Sequence, residues 1–425
     1  MRQRQNNIFA GIDWVLVLFF MVLVFLGWIN IYAASVTDTS QGVFDAATLH
    51  GKQLRWIGLS GVLIIIIMAI DAKFYERFSG IFYIISILSL VGLFLFGDTI
   101  NGATSWYNFG GASLQPSEFA KVATILALAN FLNEPNRDLS NFNTQLRAFL
   151  ILLLPALLII LQPDAGSALI YFTLFFVMYR EGLPGFYLGL GFLLMILFLV
   201  TLYFGFITAL IIIFSLITLL FAYLLNFKKF HLNQEWPKII VLYLFVGLFM
   251  FSVDYVYNSI FDQRHRDRFD IVLGKEVDPR GIGYNTNQSM ITISSGGLTG
   301  KGFLEGDRTQ GNFVPEQHTD YIFSTVGEEW GFIGTSAVII LFIAFILRII
   351  RVAERQKLKF SRVFGYSVAT VFFFHFMINV GMVIGVVPTI GIPLPFFSYG
   401  GSSLWGFTIL LFIFIRLDAD RTYEW

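Results

Sequence analysis

WVLVLFFMVLVFLGWINIYA, residues 14–33, carries no charged side chain and no proline. A helix rises about 1.5 Å per residue, so roughly 20 apolar residues cross the hydrocarbon layer of a bilayer. The run is too long for the core of a signal peptide, and it lacks a convincing cleavage site. The short polar start before it, with Arg2 and Arg4, therefore stays attached to a first membrane span. Further apolar runs lie at 54–70, 81–96, 119–132, 149–161, 168–179, 188–204, 207–225, 239–257, 332–350, 363–386 and 401–415. The stretch 184–225 has no polar break, and a division is expected near Gly205. Hydrophobic residues make up 56% of the 425 and charged residues 13%, with a mean hydropathy of +0.73. A water-soluble core cannot hide that much apolar surface. The expected fold is all-α: a polytopic membrane helix bundle of about 10–12 transmembrane helices, a single integral membrane domain over 1–425.

Lysine and arginine are retained on the cytoplasmic side of a membrane, and their placement sets the orientation. With the N-terminus inside, the inner segments receive Lys73, Arg77, Arg137, Arg147, Arg180, Lys228, Lys229, Lys238, the cluster from Arg348 to Arg362, Arg416 and Arg421. The short outer loops hold little beyond Lys52 and Arg55. Both termini are therefore expected in the cytoplasm, and the polar segment 258–321 is a long extracytoplasmic loop. A net charge of zero gives no reason to expect a nucleic-acid partner. The absence of cysteine excludes disulfides and thiol nucleophiles.

Six stretches stand out, the first five each with a plainer alternative. DPRGIGY (278–284), with Asn287, Gln288 and Ser289 behind it, holds Asp278 outside helical conformation through the following proline. Such a carboxylate can take a proton from a hydroxyl, although Asp-Pro-x-Gly is also an ordinary turn. SGGLTGKG (295–302) combines backbone N–H groups and Lys301 in a way that suits phosphate oxygens or a flexible loop. Its spacing is not that of a P-loop. PEQHTD (315–320) places His318 between Glu316 and Asp320, a weak metal or acid–base pattern that a helix cap explains equally well. QPSEFAK (115–121) puts Glu118 and Lys121 three apart on a helix at membrane depth, a functional pair or a buried structural one. QPD (162–164) adds Gln162 and Asp164, whose plain reading is a turn between helices. PTIGIPLPFFSYGGSS (388–403), which contains Ser398, cannot be continuous helix. Irregular backbone at that depth lies inside protein or lines a cavity.

Together QPSEFAK, QPDAGS (162–167), DPRGIGYNTNQS (278–289), SGGLTGKG, FVPEQHTDYIF (313–323) and GIPLPFFSYGGSS (391–403) resemble, in order along nearly the whole chain, the SEDS family of RodA and FtsW. That resemblance implies a peptidoglycan glycosyltransferase of the bacterial cytoplasmic (inner) membrane that polymerises lipid II during elongation and shape maintenance. It implies a class B penicillin-binding protein transpeptidase as partner and Asp278 as the catalytic base. It further implies substrate-binding roles for Glu118, Lys121, Gln162, Asp164, Arg280, Gln288, Ser289, Lys301, His318 and Ser398. A divalent cation (Mg2+ or Mn2+) with an unspecified ligand set belongs to the same expectation. Two departures stand out. The family has ten spans, so 207–257 reads as an added hairpin, and Ser105 occupies the place of an arginine ahead of Trp106. The opening run through Tyr32-Ala33-Ala34 is closer to RodA than to FtsW. A lipid-linked precursor flippase and a division-specific FtsW-type paralogue are the alternatives.

Overall fold

The computed structural model describes residues 11–36, 42, 44–45, 47–100, 102–110, 113–226, 232–261, 263–274 and 283–421. Helix α1 (Trp14–Ser35) starts where the Asp13 carboxylate accepts the Leu16 N–H at 3.2 Å. The N-cap of α2 (Leu49–Ala69) is Thr48, which accepts from Gly51 N at 3.2 Å. Such side-chain oxygens satisfy donors that a helix start leaves open. Two helices, α3 (Ala72–Arg77) and α4 (Ser79–Phe96), lead to an antiparallel meander of β1 (Asp98–Ile100), β2 (Ala103–Asn108) and β3 (Ser113–Leu114). Its register pairs Asp98 with Trp106 and Tyr107 with Leu114. Helix α5 (Pro116–Asn133) opens on a proline at its first turn, where the missing N–H costs nothing. Then follow α6 (Phe142–Ile160) and α7 (Ala165–Arg180), the latter capped by Asp164.

Two compact units make up the chain, one of 1–183 with 284–425 and one of 184–283. The second unit holds α8 (Phe186–Phe204), α9 (Phe206–Asn226), α10 (Leu232–Tyr255), a π turn (Val256–Ile260) and α11 (Gln263–Val272). Gly205, at φ +77°, separates α8 from α9 at the expected place. Leu197, Ala209, Val246 and Met250 form the core of this helical group, and the Thr218 and Tyr243 hydroxyls meet at 2.7 Å.

The first unit continues with α12 (Tyr284–Ser295), α13 (Asp307–Gln310), α14 (Ile322–Glu354), α15 (Lys359–Val383) and α16 (Gly401–Asp420). Its interior is built by α14, α15, α16 and the segment before α16, with Phe342, Phe372, Phe407 and Phe397 all buried. Leu18, Met21 and Phe25 of α1, like Ile65 of α2 and Ile84 and Leu88 of α4, are more than half exposed. Apolar exposure repeated on helix after helix requires lipid as the surrounding solvent.

All twelve apolar runs fall on helices. Ten helices among the described residues are long and apolar enough to span a membrane; α5 and α7 are the two that are not. The reason is local: α5 carries Glu118 and Lys121 in its first turns and is buried along most of its length, so lipid does not select its composition. Helix α7 has 16 residues and buries half of them against neighbours. At one end of the unit Arg348 and Arg355 bind Asp13 at 2.6 and 3.0 Å, and Arg355 also binds Asp418. This tie joins α1, α14 and α16. Burial raises the Asp13 carboxyl, but the hydrogen bond and charge of Arg348 and Arg355, with the Leu16 N–H, bring it below the ordinary value.

Candidate active site

Glu118 and Lys121 meet as their spacing predicts. The ammonium lies 3.1 and 3.0 Å from the two carboxylate oxygens, and both side chains are buried. Lys121 Nζ also lies 3.0 Å from His375 Nε2 on α15 and 5.0 Å from the Phe407 ring centre. An ammonium can only donate, so Nε2 accepts and the ring proton belongs on Nδ1, 3.3 Å from the Pro393 carbonyl. The pair thus ties α5 to α15 and to the irregular segment before α16. Sequence spacing contains no sign of His375, which is 254 positions away.

Gln115 brings the two Gln-Pro segments together. Its Nε2 donates to Asp164 at 3.1 Å, and its backbone N–H donates to Ser402 Oγ at 3.1 Å. The other Asp164 oxygen accepts from Ser167 N, and Gln162 Nε2 donates to the Leu90 carbonyl at 2.8 Å. Ser398 accepts from Leu394 N at 2.8 Å and closes a turn.

The glycines of 295–302 have a structural cause. Helix α14 is broken at Gly331, φ +63°, and the loop backbone fills the break. Phe332 and Ile333 donate to the carbonyls of Gly297 and Leu298, while Lys301 and Gly302 donate to those of Glu328 and Glu329. A Cβ at Gly296, Gly300 or Gly331 would lie 2.0–2.2 Å from a backbone atom of the opposing segment. The N–H groups of residues 301 and 302 are therefore engaged by α14. Lys301 Nζ binds Glu328 at 2.8 Å and Asp307 at 3.1 Å; the Glu328 hydrogen bond, opposed by desolvation, raises the ammonium above its usual value. The same Glu328 carboxylate accepts from Arg308 N and from Thr309 N and Oγ1. Arg308 in turn donates to Gln288, and Ser289 Oγ donates to the Val383 carbonyl at 2.9 Å.

His318 lies half-buried beside Tyr399, with ring centres 5.7 Å apart, and its carbonyl accepts the Tyr399 N–H. Burial lowers its pKa, against the pull of Glu316. Its Nε2 is 3.9 Å from Glu316. Among the described residues no three His, Asp or Glu side chains converge as metal ligands. Asp278 and Arg280 lie outside the described residues.

The structure adds a feature that motif reading missed. A cavity of about 490 Å³ opens between α2, the meander and the 399–401 turn, lined among others by Lys52, Arg55, Trp56, Trp106, Thr319 and Tyr399. Burial pushes the Tyr399 phenol up, with Arg55 opposing. The backbone of Gly400 and Gly401 completes the wall. A signal for it existed in the sequence, since Lys52 and Arg55 are the exceptional cations of the outer loops. Of the expected site residues, His318 and Ser398 flank this wall through Thr319 and Tyr399. Glu118 and Lys121 do not line it; their contacts run to His375 and, through it, to Pro393.

The family of cell cycle proteins comprising FtsW, RodA and SpoVE matches residues 13–423. A peptidoglycan glycosyltransferase RodA of Treponema pallidum is 32% identical, covering 97% of this chain and 98% of its own length. Peptidoglycan glycosyltransferase MrdB of Escherichia coli K12 is likewise 32% identical, over 90% and 88%. Proteins named FtsW match at lower identity. A solved chain from a peptidoglycan synthase complex that coordinates polymerization and crosslinking superposes with a TM-score of 0.68 at 26% identity, covering 97% and 99%.

Proposed function

This chain belongs to the FtsW/RodA/SpoVE family of cell cycle proteins, and from that premise we propose that it is a peptidoglycan glycosyltransferase that polymerises lipid II. The relatives named RodA and MrdB favour the elongation role over the division role. The observation that carries the reading is the cavity: a concave, cation-bearing, aromatic-walled hollow in a chain whose spanning helices expose apolar side chains. Its volume falls in the range of sites that hold small organic groups.

In the reaction, the 4-hydroxyl of one lipid-linked disaccharide attacks the anomeric carbon of the growing chain. The new glycosidic C–O bond forms as the bond from the anomeric carbon to the pyrophosphate oxygen breaks. Asp278 receives the hydroxyl proton, and the prenyl pyrophosphate departs with the electron pair. Alignment of two membrane-held substrates lowers the barrier further, because neither diffuses freely. Charge on the leaving group calls for cations nearby.

The catalytic face is assigned to the outer leaflet, with both termini inside a bacterial inner membrane. A class B transpeptidase is the natural crosslinking partner, in keeping with the synthase complex that the chain resembles. Detergent-purified protein supplied with lipid II alone should give polymer on a gel. Movement of lipid II across a vesicle membrane without polymer would instead identify a flippase.

A further inference from the structure

We infer that Asn379, on α15, is a positioning residue for glycosyl transfer that anchors the cavity wall formed by residues 319 and 399–401; this rests on the glycosyltransferase reading and adds a residue to it. In the second half of the apolar run 363–386, His375 and Asn379 stand four residues apart, on one face of the helix. Both are buried. Polar groups at that depth are costly and are kept where they find partners. His375 faces the Pro393 carbonyl. One turn on, Asn379 Nδ2 donates to the Asp320 carbonyl at 2.8 Å and to the Ile392 carbonyl at 2.7 Å. An amide nitrogen carries two hydrogens and serves both acceptors, whereas a hydroxyl has one and an ionised carboxylate none.

The two carbonyls lead straight to the wall. Thr319 is the neighbour of Asp320, and Ile392 opens the irregular stretch that runs on to Tyr399, Gly400 and Gly401. The two segments also touch each other. Tyr399 N donates to the His318 carbonyl at 2.9 Å, and a Cβ at Gly391, φ +78°, would lie 3.3 Å from Asp320 Oδ2. Those contacts pair the segments; Asn379 ties the pair to α15. Neither segment is regular helix or strand at these carbonyls, and irregular backbone inside a bundle keeps its shape through partners of this kind. One turn beyond, the Val383 carbonyl accepts from Ser289 Oγ on α12, the helix that follows the Asp278 segment in sequence. Helix α15 therefore holds both the cavity wall and α12. A displacement of about 1 Å in such a support can slow a reaction about 100-fold, because the reacting groups no longer align.

The test measures initial rates of polymer formation against lipid II concentration, per folded molecule, for the full chain in detergent. Asn379→Leu, close in volume and without a donor, should lower kcat about tenfold or more and move KM little. The walls on α2 and β2 are carried by other elements and keep their form, so substrate still enters and alignment is what is lost. Asn379→Ser keeps one O–H donor and should fall between wild type and Asn379→Leu; it also serves where the leucine variant does not fold. Ser367→Ala removes a hydroxyl equally buried in α15 but bonded within that helix, to Val363, and should leave kcat unchanged. The wall itself is read without substrate: Thr319→Cys in this cysteine-free chain should react faster with a thiol reagent when combined with Asn379→Leu or Asn379→Ser. Wild-type kcat in both Asn379 variants, an equal loss in Ser367→Ala, or unchanged reactivity of Thr319→Cys each overturns the assignment. Polymer at full kcat from the Asn379 variants rejects the positioning role alone. Faster thiol reaction in those variants, from a protein whose wild type makes no polymer, rejects the glycosyltransferase reading and leaves the anchor standing.

Discussion

Lys121 places an ammonium inside the protein, and that is stable only with Glu118 opposite and His375 as a second acceptor. Breaking such a pair leaves one charge buried alone and costs about 3–5 kcal/mol. Glu118→Gln or Lys121→Met should therefore each lower thermal stability sharply, while the double variant should be the more stable of the three; unfolding in detergent measures this. His318 provides a pH readout. Burial, opposed by Glu316, keeps the folded ring below its ordinary value of 6.5. The unfolded chain thus takes up the proton first, and stability present at neutral pH is lost as pH falls through about 6.5 toward the folded value. Wild-type melting temperature should drop over that interval more than that of His318→Gln. At this scale the Glu118–Lys121 pair was legible because its partners are three residues apart on one helix. His375 and the Lys301–Glu328 bond were not, because only tertiary packing brings those side chains together.

Helix α14 shows what local pattern omits. Its apolar run predicts one span from 332, yet the helix starts at Ile322 and breaks at Gly331, where the 296–302 backbone supplies the missing partners. A glycine in that strained conformation, facing a backbone nitrogen 2.2 Å from where a Cβ would sit, has no tolerated substitute. Gly331→Ala should cost about 1–3 kcal/mol or more, through positive φ alone, visible as a lower melting temperature and faster proteolysis of the 296–302 loop. The glycine-rich loop looked equally suited to a phosphate. Backbone contact with α14 explains its glycines, and the cations of the cavity come from α2 instead. Apolar periodicity gave the location of every long helix correctly, whereas α5 and α7 fall short of a lipid-facing composition because protein surrounds them.

At the scale of the molecule, hydropathy and arginine placement were sufficient to read a polytopic all-α chain, and the ordered motifs to read its family. Beyond the outer cations Lys52 and Arg55, the cavity was not legible, because its walls are drawn from positions 52–59, 106–113, 319 and 399–401. The proposed orientation has a clean test, since the chain contains no cysteine. Phe109→Cys, exposed after β2, should react with an impermeant thiol reagent added to intact cells. Ser140→Cys, exposed between α5 and α6, should react only after permeabilisation; the reverse pattern would invert the topology. The central claim is that one carboxylate draws the proton from the attacking sugar hydroxyl. It is tested most directly by the glycan made from lipid II by purified wild type and Asp278→Asn at matched folding. The account predicts a ladder from the wild type and a rate about 10²- to 10⁴-fold lower from the variant, whereas chains of comparable length and yield from Asp278→Asn would contradict it.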